Sequence, residues 1–397
     1  MKEVVIVDAA RSAFGKRGGM FKTVEALDLG ANTVKGMLER TKLLEKSVVD
    51  DVYVGSAYPA ANAHSHARYL TLEAGLPVSV SATSVEMQCG SSLIAVNNAA
   101  YKIAVGMADV VIAGGVESHS RRIVKFPTWL DSYKFVAPAA IPTRYSHREE
   151  DNLPMSKISD LMAEKWSVSR EESDEFACRS QELMLETIRT GFTGPEIVPY
   201  VIPATRKTPE QVLNRDEFPR ETSLEALGRL KPVYADGVTT AGNACGMNDG
   251  AAFLLLMSRD KAEELGYEPI ARWIYGGSTA CEPKYMGIGA SYALQKALKY
   301  TGLTLDDLCT IECNEAFAAQ NLSCIRDLEA AYGKKLDMKK WNPRGGAISI
   351  GHPNGASGAR IAYWAMHQME LTGGRYAAVT TCCGGGQGVA AIFENLR

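Results

Sequence analysis

Apolar and polar positions along the chain fall into a series of runs that occurs twice. The stretch "VVIVDAARSAF" (Val4–Phe14) is a short β-branched run closed by small and polar residues, which predicts a buried strand ending in a turn. "ARWIYGGSTACEP" (Ala271–Pro283) reads the same way. Each is followed by a stretch of helical period and then a strand with an acidic start. These are "LDLGANTVKGMLERTKLLEKSVVDDVYVGSAY" in the first half and "GASYALQKALKYTGLTLDDLCTIECNEAF" in the second. A helix start rich in small residues comes next ("CGSSLIAV", then "NGASGARIAYW"), and after it a core strand ("DVVIAGG", then "YAAVTTC"). Two facing copies of a βαβαβ unit are the economical reading, with right-handed crossovers placing helices over the sheet faces.

Between the copies, from about Glu117 to Asn243, the period is lost. "RRIVKFPTWLDSYKFVAPAAIPTRYSHREEDNLP" mixes aromatics, prolines and charge, the texture of a lid, binding insertion or subunit contact. An amphipathic helix, "SREESDEFACRSQELMLETI", follows; Ser169 is the expected N-cap, with Glu172 three residues on.

Composition narrows the function. The chain has 397 residues, 46% apolar and 22% charged, with 43 Lys and Arg against 46 Asp and Glu. A net charge of −3 gives no electrostatic reason to expect a nucleic-acid or membrane partner. The opening "MKEVVIVDAARSAFG" is too short an apolar run for a secretory signal. Nine cysteines, an odd number, point to a reducing, cytoplasmic setting rather than a disulfide framework. Neither Cys309 and Cys313 nor Cys382 and Cys383 form a zinc knuckle, so no metal is expected.

Four segments set a reactive side chain beside glycines at a strand end: "MQCGSS" (Cys89), "ECNEAFAAQ" (Asn314), "AISIGHPNGASG" (His352) and "TTCCGGGQG" (Cys382). In α/β sheets such loops converge on one crevice. Cys89 precedes Gly90, Ser91 and Ser92, as at a sharp strand-to-helix turn, with Leu93, Ile94, Val96 and Ala99 as the buried helix face. A thiol at a helix start is expected to have a lowered pKa. Cys89 with His352 is a nucleophile–base pair, Asn314 can orient a water, and the run Gly384–Gly386 leaves N–H groups open to developing negative charge.

Together, "CGSSLIAVNNAAYKI", "VVIAGGVESHS", "LKPVYADGVTTAGNACGMNDGAA", "PKYMGIG", "NEAFAAQN", "GGAISIGHPNGASGARI" and "CCGGGQG" resemble the motif set of the thiolase family over essentially the whole chain. That family makes or cleaves 3-ketoacyl-CoA thioesters. The resemblance implies an α/β fold of duplicated βαβαββ halves in five α-β-α-β-α layers, with an inserted loop domain. Residues 1–116 and 244–270 would form the N-terminal half, 117–243 the loop domain carrying CoA and subunit contacts, and 271–397 the C-terminal half. Cys89 would be the acylated nucleophile, His352 its base and Cys382 the second acid/base, since Cys383 falls at the variable position of Cys-x-Gly-Gly-Gly. Asn314 would hold a water that forms one oxyanion hole with His352, and the N–H groups of Cys89 and Gly384 would form the other. Arg220, Met155, Cys245, Met247, Met286 and Phe317 would line the CoA and acyl path. No cofactor is implied, because coenzyme A is itself a substrate; acetyl-CoA and 3-ketoacyl-CoA are the small-molecule partners, and a homodimer or homotetramer is the implied assembly.

Several positions depart from the pattern. Ser92 replaces a common glycine, Cys245 a serine, and Asn354 an aliphatic residue. Pro154-Met155-Ser156 replaces the His-Met-Gly of acetoacetyl-CoA-forming members. With Phe126, Trp129, Tyr133 and Phe135 nearby in sequence, this suggests an apolar pocket for ketoacyl chains beyond four carbons. A dedicated acetyl-CoA C-acetyltransferase, a ketoacyl synthase and a non-catalytic thiolase-like lipid-binding protein remain alternatives.

Overall fold

The computed structural model describes residues 1–46, 48–58, 60, 63–127, 139–206 and 208–397. The first half runs through β1 (Val4–Arg11), the two-residue β2 (Gly15–Lys16), α1 (Ala26–Thr41), α2 (Leu43–Lys46), β3 (Asp51–Gly55), α3 (His66–Glu73), β4 (Ser81–Val85), α4 (Ser91–Ala104) and β5 (Val110–Glu117). The intervening region holds α5 (Met155–Lys165), α6 (Arg170–Arg189), a hairpin of β6 (Tyr200–Ile202) and β7 (Gln211–Leu213), and α7 (Leu224–Gly228). The Ser169–Glu172 capping box is formed at the start of α6. The chain then returns to the first half with β8 (Asn248–Ser258) and α8 (Arg259–Glu264).

The second half repeats the first: β9 (Ala271–Ala280), α9 (Gly289–Thr301), β10 (Leu308–Cys313), α10 (Ala318–Tyr332), α11 (Ala347–Ile350), α12 (Asn354–Thr372), β11 (Tyr376–Cys383) and β12 (Gln387–Asn395). Among the described residues the strands follow the order β10-β11-β12-β9-β1-β8-β5-β3-β4, with β2 on β8. The order reads symmetrically about the short antiparallel β1–β9 pairing, so β3, β5 and β8 correspond to β10, β11 and β12. One member is abbreviated. Where β4 pairs along the whole of β3, the second half has a single parallel bridge from Ile311 to Trp341.

Strand alternation sorts the core into layers. Phe253 and Leu255 of β8 pack with Leu27 and Val34 of α1 and Leu70 of α3 on one outer side. Their neighbours Leu254 and Leu256 face a central layer, where Leu93 and Val96 of α4 meet Ile361 and Ala365 of α12. Ala378 and Cys382 of β11 face the other outer layer, α9 and α10. Hence α4 is buried nearly all round rather than on one face: Ile94 is half-buried, while Ala95, Asn97, Ala100 and Ile103 are fully enclosed. Asn97 fits there because its Nδ2 donates to the Ala390 carbonyl (3.2 Å) and its Oδ1 accepts from Trp273 Nε1 (3.1 Å).

Gly115 of β5 shows how closely the layers approach. A Cβ there would collide with the carbonyl oxygens of Gly55 and Gly355, both backbone. Gly115→Ala is therefore expected to destabilise the fold by about 3 kcal/mol, the upper part of the overpacking range, read as a lowered urea midpoint. No helix among the described residues is long and apolar enough to cross a membrane.

Candidate active site

Cys89 lies in a tight turn, Gln88–Gly90, between β4 and α4. Gln88 has φ +48°, rare for a side chain of its size, and Glu86 holds it by accepting from its backbone N (2.8 Å) and its Nε2 (2.7 Å). Ser91 Oγ accepts from Met87 N (2.9 Å) and donates to the Gln88 carbonyl (2.7 Å), closing the turn. Ser92 Oγ accepts from Ala359 N in α12 (3.0 Å). A Cβ on Gly90 would stand 2.5 Å from Cys383 Sγ. The Gly-Ser-Ser run after Cys89 thus lets α4 start hard against α12 and β11.

Asn354 Nδ2 donates to the sulfur at 3.2 Å, and the backbone amides of Cys89 and Gly384 favour its charged form. The low thiol pKa expected from the helix start is overturned. Burial pushes Cys89 up to about 12, with Glu117 acting in the same direction, and this outweighs the three donors.

His352 is fixed at every polar atom. Its backbone N donates to the Gly246 carbonyl (3.1 Å) and to Asn248 Oδ1 (3.2 Å). Its Nδ1 lies 2.7 Å from Ser357 Oγ, whose own proton goes to the Pro353 carbonyl (3.1 Å). Nδ1 must then carry the ring proton, which leaves the lone pair on Nε2, 3.4 Å from Asn314 Nδ2. Burial, with His119 and Arg360 nearby, pushes His352 down to about 3, so at neutral pH the ring is uncharged. Asn314 Oδ1 is buried without a hydrogen-bond partner.

These two values set a pH dependence. Iodoacetamide alkylation of Cys89 is expected to rise about tenfold per pH unit from pH 7 to 9, because the thiolate fraction rises tenfold per unit below the thiol pKa. A plateau near neutrality would show a preformed thiolate–imidazolium pair instead.

Cys382 and Cys383 point to opposite faces of β11. Cys382 is fully buried on the side of Met286 and Phe317, and burial holds its thiol well above the usual range, with Cys89 the strongest charge acting on it. Cys383 packs in the central layer with Met87 and Val389. Met155, at the start of α5, and the buried Met286 share the Cys382 cluster with Phe317. Cys245 N donates to the Ala316 carbonyl (3.0 Å), Met247 bridges to His352, and Met247 is half-exposed. Arg220 is exposed, its guanidinium 4.9 Å from the Phe218 ring centre, and that ring closes on Gly246. All eleven site residues named from the sequence lie among the described residues. His352 is joined to Asn314 and Met247, and Cys382 shares one cluster with Met155, Met286 and Phe317; Cys89 acts on Cys382 and feels the Gly384 amide, Cys245 bonds to Ala316 beside Phe317, and Arg220 reaches the group only through Phe218.

The model of the thiolase N-terminal domain matches residues 4–260, and that of the thiolase C-terminal domain residues 267–395. The chain belongs to the thiolase family. It is 40% identical to an acetyl-CoA acetyltransferase of Allochromatium vinosum and 40% identical to a beta-ketoadipyl-CoA thiolase of Acinetobacter baylyi, in each case over all of both chains. The crystal structure of the Bacillus anthracis acetyl-CoA acetyltransferase superposes with a TM-score of 0.91 at 35% identity, covering 100% of this chain and 99% of that one. It is a thiolase-family acyltransferase with the thiolase fold.

Sequence reasoning gave no part to Ser357, Asn248, Gln88 and His119 of this thiolase. Ser357, five residues beyond His352 in "GHPNGASG", was the most accessible, since a hydroxyl one helical turn on can reach the ring. Most of the aromatics from which an apolar acyl pocket was expected lie outside the described residues. Phe126 is half-exposed, and Trp129, Tyr133 and Phe135 lie outside the described residues. A cavity of about 710 Å³ beside Gln88 and His119 has a mixed lining, with Ile123, Val124 and Ile141 beside the cations Arg17, Arg122, Lys125 and Arg144 and the carboxylate of Glu86.

Proposed function

We propose that the chain catalyses reversible CoA-dependent Claisen condensation and thiolytic cleavage of short-chain 3-ketoacyl-CoA, acetoacetyl-CoA included, through an acyl-Cys89 intermediate. The observation that carries this reading is Cys89 in the tight Gln88–Gly90 turn before α4, with the backbone amides of Cys89 and Gly384 favouring its charged form where a thioester carbonyl would meet the nucleophile. His352 Nε2 takes the thiol proton and returns it to Cys89 when the condensed product leaves, while the departing CoA thiolate takes the proton of Cys382 and leaves it a thiolate. Asn314, with its unpaired Oδ1, holds a water that donates with the protonated ring to the second oxyanion, the enolate. Cys382 removes the α-proton of the second acetyl thioester. Arg220 meets the anionic end of CoA, while Cys245, Met247, Met155, Met286 and Phe317 follow its pantetheine arm. A homodimer or homotetramer in the cytoplasm is part of this reading, and nine unpaired cysteines suit that compartment.

The four cations on this cavity favour a second reading of the acyl tail: a terminal carboxylate, as in the substrate named for the beta-ketoadipyl-CoA thiolase relatives. The test compares acetoacetyl-CoA, 3-ketohexanoyl-CoA and 3-ketoadipyl-CoA, the last two equal in chain length. The charged substrate is expected to exceed the uncharged six-carbon one about tenfold in kcat/KM, the scale of one hydrogen bond to a charged group. Joint Arg122→Gln and Arg144→Gln should erase that preference and leave acetoacetyl-CoA turnover intact. A higher kcat/KM for 3-ketohexanoyl-CoA would overturn the carboxylate reading; a steep fall for both six-carbon substrates would leave a dedicated acetyl-CoA C-acetyltransferase.

A further inference from the structure

Asn354 opens α12, and its amide sits between two side chains from the other half of the molecule. Nδ2 donates to Cys89 Sγ at 3.2 Å, and Oδ1 lies 2.8 Å from His119 Nε2. The two ends of an amide are not interchangeable, since the oxygen only accepts and the nitrogen only donates. With the proton of neutral His119 on Nε2, the oxygen is claimed by the imidazole and the N–H end must face the sulfur. His119 is itself held, 5% exposed, with its ring edge-on to Tyr58 at 5.5 Å between centroids. Burial keeps its pKa down and the ring neutral. The first turn of α12 is anchored as well, because the Glu117 carboxylate accepts from Gly355 N (3.0 Å) and Ala57 N (2.9 Å).

Among the described residues, no permanently charged cation acts on a thiolate at position 89; His352 becomes one only by taking its proton. Glu117, Tyr58, Cys245, Cys382 and Cys383 act on it or are acted on by it, and each is neutral or negative. Of the influences that oppose the upward push of burial, the Asn354 amide is the largest.

We propose that Asn354 is a further catalytic residue, whose Nδ2–H stabilises the Cys89 thiolate by a charge-assisted hydrogen bond, and that His119 is the positioning residue that orients its amide. The proton leaving Cys89 goes to His352; Asn354 donates a hydrogen bond and transfers nothing, so charge and atoms balance without a co-reactant. This rests on Cys89 being the nucleophile, which acetyl-adduct mapping of the unmodified enzyme tests separately.

The test is alkylation of Cys89 by iodoacetamide in the full-length protein from pH 6 to 10, quantified on the Cys89 peptide so that no turnover is needed. Asn354→Leu should lower the rate about tenfold at each pH, equivalent to about one unit in the thiol pKa. Asn354→Asp, with the same shape but no donor, should lower it further. His119→Phe should lose part of the rate, and His119→Gln, whose amide nitrogen can still donate to Oδ1, should recover it. If Asn354→Leu does not fold, the Asp variant and the His119 pair carry the result. Unchanged alkylation in the folded Asn354 variants would overturn the catalytic role, and equal rates in the two His119 variants would overturn the positioning role.

Discussion

Replacing Cys89 by alanine is expected to lower kcat for thiolysis at least about 10³-fold, with the protein still folded, the scale on which removal of a covalent nucleophile is felt. A thiol is required because exchanging one thioester for another is nearly balanced, so the acyl group stays transferable. The backbone amides of Cys89 and Gly384 favour the charged form of the sulfur, and an acyl carbonyl on Cys89 is expected to meet both. Incubation of the unmodified protein with acetyl-CoA, followed by peptide mass mapping, should place the acetyl group on Cys89. An acetyl group on Cys382, Cys383 or Cys245 would sink the assignment, as would an alanine variant that retains turnover.

Cys382→Ser is expected to reduce condensation of acetyl-CoA by about 10²–10⁴-fold, the contribution typical of a positioned acid or base. Acyl exchange between CoA thioesters, in which no α-proton is removed, should survive in part. Serine has too high a pKa to take an α-proton in the dry cluster of Met286 and Phe317 that Cys382 occupies. Cys383→Ser should behave differently, because β11 turns that side chain to the central layer beside Gly90. A buried hydroxyl there should cost about 1–3 kcal/mol of stability and leave condensation near its normal rate. Equal loss of condensation from both substitutions would count against Cys382 as the second acid/base.

Much of the fold was legible because local rules and tertiary packing agree. The β-branched run at Val4 and its counterpart at Ala271 became β1 and β9, and the pair about which the sheet is symmetric. Ser169 and Glu172 closed the capping box that their spacing announced. The abbreviated strand at Trp341 was not legible, since one bridge leaves no periodic trace. The all-round burial of α4 was likewise hidden. Asn97 reads as a surface residue until a carbonyl of β12 and the indole of β9 enclose it from the far half of the chain.

The sequence by itself determined the duplicated architecture, the strand-end loops that carry Cys89, Asn314, His352 and Cys382, and family membership through the motifs those loops contain. Such features depend on short spacings, turn chemistry and side-chain period, all local to the chain. Tertiary structure alone decided the direction of the Cys89 pKa, the tautomer of His352, the opposite facing of Cys382 and Cys383 across the layers, and the Asn354 bridge between Cys89 and His119. Each of these depends on desolvation or on a hydrogen bond between residues far apart in sequence, 235 and 265 positions for the two bonds of Asn354, and such a pairing exists only once the two halves have closed on the central helices.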